Sequence, residues 1–192
     1  MNRSSLLPLA TMATVVASLC LVSPAHAASG HTKIALEGQI RAQIARTDGA
    51  LTRVEQAPRT RSLDVDVRTD VRASIDADQS ALANLAADLD SAHTMAQVQS
   101  IGAEVRDYRA SVYTQVVTDL HLADQLATKM DDSRRTLDLG LSIEALLNSV
   151  HASLDASVDG ALSLDATSDQ SDVHAVSVNL SSAAHAYAEA VN

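Results

Sequence analysis

Phenylalanine and tryptophan are absent from this 192-residue chain, and tyrosine occurs only three times. A sandwich or barrel draws on aromatic side chains and frequent turns, so their scarcity argues against an all-β fold. Turn formers are few as well, with six glycines and three prolines. The single cysteine, Cys20, excludes an internal disulfide. Cations are outnumbered, 14 Lys and Arg against 24 Asp and Glu, giving a formal net charge of −10. Such a chain repels phosphate backbones and anionic lipid surfaces, and no basic cluster offsets this. No long apolar run follows Val22, so no membrane span is expected beyond the start.

That start has its own layout. MNRSSLLPLATMATVVASLCLVSPAHA carries a short basic beginning, an apolar stretch from Leu6 to Val22, then Pro24 and the small-x-small sequence Ala25-His26-Ala27. This is the pattern of a secretory signal peptide cut after Ala27. Leu19 stands where lipoprotein processing before Cys20 wants a small residue. Export is therefore expected, to the secreted fraction or the cell wall, with a single helical domain from residue 28 to 192. Cys20 would leave with the signal.

The remaining chain is rich in alanine, leucine, valine, isoleucine, aspartate and serine. Alanine is the best helix former, and small side chains let helix backbones approach closely. The fold class read from this is all-α, an elongated, coiled-coil-like antiparallel bundle of four or five helices. Ile40, Ile44, Leu51 and Val54 form an apolar stripe on a first helix from about Thr32 to Gln56, which Pro58 stops. After the polar link APRTRS and an alternating LDVDV, a second helix carries Val71, Ile75, Leu82, Leu85 and Leu89, with Arg, Asp and Gln opposite. Thr94 and Gln97 have capping-box spacing. A fourth helix beginning near Asp132 or Ser133 carries Leu137, Leu139, Ile143, Leu146, Leu147, Val150, Leu154 and Val158. A fifth, capped by Ser171 or Asp172, carries Val173, Val176, Leu180, Ala184 and Tyr187. A shift of 79 residues lays Ile75 on Leu154, Leu85 on Leu164, Ile101 on Leu180 and Tyr108 on Tyr187, a faint pattern that an internal repeat would leave and that a chain rich in Ala, Asp and Ser also produces by chance.

The third helix holds the one unusual stretch, RDYRASVYTQVVTDLHLADQL. Its stripe runs Val98, Ile101, Val105, Tyr108, Val112, Val116, Leu120, Ala123, Leu126 and Met130 without a break. SVYTQVVT is nevertheless poor helix-forming material. A helix with a bend or one-turn interruption near Arg109 to Ser111 reconciles the two. Tyr108 lies on the stripe, and Tyr113, about 140° further round, is expected to face elsewhere.

Asp107-Tyr108-Arg109, then Tyr113 and Ala123-Asp124, within a stretch from Ile40 to Met130, resembles a group of secreted, helical, functionally uncharacterised proteins of high-GC Gram-positive bacteria. That group often has a proline after the tyrosines, and this chain has none. The resemblance implies export and a helical fold, and it brings no activity.

Catalytic signatures are missing: there is no Gly-x-Ser-x-Gly elbow, no phosphate loop and no Cys-x-x-Cys-His. No enzyme activity and no cofactor is expected. His121, His151 and His185 each have an acid one turn on, Asp124, Asp155 and Glu189, which makes them the only metal candidates. Helical metal sites use Glu-x-x-His pairs, and the order here is reversed, so no metal is assigned. Arg106, Tyr108, Arg109 and Tyr113 form either an interaction point or a packing joint. In the joint reading, a tyrosine hydroxyl reaches a polar partner and the arginines pair with acids across the bundle. The functional expectation is an exported structural or interaction protein that binds a protein partner, or itself, through a helix face. The alternative is a ligand or metal carrier built on the histidines.

Overall fold

A computed structural model describes the backbone of residues 25–136 and 141–191, and the side chains of 32–136 and 143–191. These residues form helices and short links, with no strand among them. The helices are α1 (Ala25–Gln56), α2 (Pro58–Arg61), α3 (Val65–Ser91), α4 (Met95–Asp107), α5 (Ala110–Thr136), α6 (Leu141–Leu162) and α7 (Gln170–Val191). The fold is an all-α bundle. Most of the expected signal peptide, along with Leu137, Leu139 and Gly140, lies outside the described residues.

Local chemistry accounts for the breaks. Pro58 ends α1 and also opens the one-turn α2, because its fixed φ and missing N–H suit a first helical position. The Thr60 hydroxyl, fully buried, donates to the Val54 carbonyl at 2.6 Å and ties that turn to the end of α1. The alternating LDVDV does not extend. Asp64 caps α3 instead, its Oδ1 accepting the Asp66 N–H at 3.0 Å. Thr94 and Gln97 form the expected capping box at the start of α4. At the far end of the third predicted helix, α5 runs on to Thr136, beyond the start expected for a new helix at Asp132 or Ser133. The cap of α7 also shifts: the Asp169 carbonyl, not Ser171 or Asp172, accepts the N–H groups of Asp172 and Val173.

Helices α1 and α3 are antiparallel, cross-linked by Arg41 to Asp90 at 2.6 Å and Gln79 to Thr52 at 2.9 Å. Helix α4 returns beside α1 so closely that a Cβ on Gly102 would come within 2.9 Å of Ile40 Cδ1. Helix α5 is about 40 Å long at 1.5 Å per residue. Its first half closes this core through Val112, Tyr113, Val116, Val117 and Leu120. Its second half, with Ala123, Leu126 and Met130, packs against Val150 and Leu154 of α6 and Leu180 and Ala183 of α7. The result is two apolar clusters joined along α5, the first also taking in Ala161 of α6 and Val173 and Val176 of α7.

Burial follows the 79-residue shift. Ile75 and Leu154, Leu85 and Leu164, and Ile101 and Leu180 are all buried, as are Leu51 and Met130, Val71 and Val150, and Leu82 and Ala161. Among the described residues Leu146 is the expected stripe residue left exposed, at 44%, because its neighbour Leu147 takes the core position.

Candidate functional site: the joint between α4 and α5

The interruption falls one residue earlier than the sequence pattern predicts. Tyr108 ends α4 with φ −74° and ψ 116°, extended values that no α-helix accommodates. Arg109 follows, and α5 starts at Ala110. The break frees the Arg109 N–H from helical pairing, and it donates to the Ala166 carbonyl in the α6–α7 link at 2.6 Å. The Arg109 Nη2 donates to the Ser168 carbonyl at 2.7 Å, and Asp169 stands 4.0 Å away. Arg109 thus works mainly on backbone carbonyls, not on acids across the bundle. Among the described residues Arg106 pairs with no acid; its Nε donates to the Gly102 carbonyl of its own helix at 2.9 Å.

The two tyrosines exchange their expected places. Tyr113 is 1% exposed and lies in the core, whereas Tyr108 is half-buried at its edge. The break at Tyr108 resets the helical count, so α5 presents a broad face in which Tyr113 stands beside Val112, Val116 and Val117. The Tyr113 hydroxyl donates to Asp78 Oδ2 at 2.7 Å, and the Ala166 N–H donates to the same oxygen at 2.9 Å. Ala166, fully buried, therefore has its N–H held by α3 and its carbonyl held by the start of α5. A buried peptide unit in a link needs such partners, since leaving either group unpaired costs about 1–3 kcal/mol.

The link also organises itself. Asp165 Oδ1 accepts the Thr167 N–H and hydroxyl, both at 2.8 Å, and the Ser168 hydroxyl at 3.1 Å, while Ser168 Oγ accepts the Asp165 N–H at 2.9 Å. Partial burial pushes the Asp165 carboxyl up, but the hydrogen bonds from Thr167 and Ser168 outweigh it and hold the group below the usual carboxylate range. For Tyr113, burial comes first, followed by the bond to and charge of Asp78, and the hydroxyl is pushed far above the ordinary tyrosine range. Burial, with the charges of Asp78, Asp165 and Glu104, also raises Tyr108.

A second buried carboxylate joins α5 to α7. Asp119 Oδ2 accepts the Ser177 hydroxyl at 2.7 Å, and its Oδ1 accepts Gln115 Nε2 at 2.9 Å. Farther along, the Tyr187 hydroxyl shares a 2.7 Å hydrogen bond with Ser133 and donates to the Lys129 carbonyl at 3.1 Å. Neither Asp78 nor Asp119 stands among the candidates that the sequence pattern singles out. The available signal was their position: Asp78 falls between Ile75 and Leu82 on the apolar stripe, and Asp119 next to Leu120.

The histidine candidates lie on three different helices. His151 Nε2 is 3.7 Å from Asp155, and His185 Nε2 is 3.4 Å from Glu189, both pairs exposed and within one helix. His121 makes no bond to Asp124, and its buried Nδ1 has no hydrogen-bond partner among the described residues. Among the described residues, no three His, Cys, Asp or Glu side chains gather closely enough to hold a metal. Nor is any described helix long and apolar enough to cross a membrane. No protein-family model, curated protein or solved structure matches the chain.

Two substitutions probe the joint from its edge. Tyr108→Ala is expected to lower stability by about 1–2 kcal/mol, less than the loss of a fully buried ring, because the side chain is only half-covered. Arg109→Ala removes the charged bond to the Ser168 carbonyl but keeps the backbone bond to Ala166. A loss of about 1–2 kcal/mol is expected. Urea unfolding of each variant checks both values.

Proposed function

We propose that this chain is an exported structural or interaction protein that binds a protein partner through a helix face, and that it is not an enzyme. The observation carrying this reading is an open groove of about 420 Å³ along α6 and α7. Leu146, Val150, Ser153, Ser157, Ser182 and Ala183 line it, and no charged side chain does. Small side chains let a further helix approach closely, and Leu146, 44% exposed, supplies apolar surface that this chain leaves uncovered. The deep polar groups at the joint, by contrast, are occupied in holding helices and link together. Export is supported by the character of residues 1–27, and an envelope or secreted location by the resemblance over Ile40 to Met130.

The test combines Leu146→Asp with Ser182→Asp, both on the groove wall. Both residues are exposed, so melting should shift little. Retention of the exported protein on its producing cells, or its self-association in sedimentation, should fall several-fold. Unchanged retention and association would reject the helix-face reading.

A further inference from the structure

A second groove, of about 150 Å³, opens on another side of the molecule, where the start of α3 meets α5 and α6. Its floor is apolar, built from Leu63, Val67, Leu120, Ala127, Leu154 and Val158. Its rim carries Asp64, Asp124 and Asp155, with His151 beside Asp155. Among the described residues, none of these three carboxylates is paired with a lysine or arginine. Asp64 only caps its own helix, and Asp155 faces only His151. Size limits the occupant. Drug-sized ligands and cofactors fill about 300–1,000 Å³, so this groove matches a single long side chain.

We propose that this seam receives a lysine or arginine side chain from a basic peptide segment of a partner protein. Lysine and arginine combine a three- or four-carbon stem with a terminal cation, and they lay the stem along apolar surface while the charged end reaches polar groups. The apolar floor fits the stem, and the three rim carboxylates fit the cation. A neutral aliphatic side chain would leave the rim carboxylates without a cation, and an acidic one would meet like charge. The inference rests on the chain being an interaction protein but uses a surface separate from the α6–α7 groove, so either can fail without the other.

The test is a chemical-shift titration of the full secreted chain with a short amphipathic peptide of leucine and lysine. Perturbations are expected at residues 63–67, 120–127 and 151–158. Asp124→Asn with Asp155→Asn should weaken binding about tenfold, as loss of two interfacial charge pairs does. Asp70→Asn with Asp76→Asn removes the same charge from α3, away from the groove, and should change affinity less than about twofold. Ala127→Leu, which fills the floor without altering charge, should also weaken binding. Equal weakening by the two charge pairs would reduce the effect to net-charge attraction and overturn the proposal. So would unchanged binding by Ala127→Leu, or equal affinity for a peptide with norleucine in place of lysine.

Discussion

Replacing Tyr113 with alanine is expected to lower the unfolding free energy by about 3–5 kcal/mol, the range for losing a large buried ring. Two losses combine in that figure. The ring is 1% exposed and fills space between α5 and the first core. Its hydroxyl is also one of the two donors to Asp78 Oδ2. Tyr113→Phe separates the contributions, since it keeps the ring and removes only the donor. A smaller loss of about 1–2 kcal/mol is expected, because the Ala166 N–H still serves the carboxylate. Alkaline pH supplies a second readout. The folded state holds the Tyr113 hydroxyl above its unfolded value, near 10, so this stability is fully present below about pH 10. It is lost as pH rises from there toward the folded value, because the unfolded chain releases the proton first. Tyr113→Phe should therefore lose stability less steeply above about pH 10, as judged by circular dichroism across a pH series. An equally steep loss would show that Tyr113 does not govern the alkaline limit.

Asp78→Ala is expected to cost about 2–5 kcal/mol, because it strips the acceptor from two buried donors at once, each worth about 1–3 kcal/mol when left unpaired. The donors come from distant parts of the chain, Tyr113 and Ala166, so the loss should appear in the positions of both. Hydrogen exchange at the Ala166 amide should accelerate toward the rate of an open link, while amides in the middle of α3 remain slow. A double-mutant cycle with Tyr113→Phe should show strong coupling, since the two residues share one bond. Additive effects would mean that the 2.7 Å contact contributes little.

Much of this fold can be read from residue order. Val71, Ile75, Leu82, Leu85 and Leu89 are spaced for one helix face, and all five are buried. The Thr94–Gln97 capping box was legible because its geometry is local, closing within a single turn. The joint itself was half legible. Its poor helix-forming residues marked a break, but the residue at which it falls is decided by the Arg109 bond to Ala166, 57 positions away. Tyr113 was misplaced for the same reason, since its direction depends on where the count restarts. Asp78 stayed hidden because its partners come from α5 and from the α6–α7 link. Periodicity reports which face is apolar, but not which polar group on that face finds a donor across the core. The grooves are a property of packing between helices, and no single stripe foretells them.

Helix α5 contributes to both apolar clusters, its first half to one and its second half to the other. Neither cluster can be lifted out by truncation, because any cut that frees one removes a wall from its neighbour. A nick near the middle of this shared strut would compromise the two ends together. The protein should therefore melt in one step and resist partial digestion until it yields all at once.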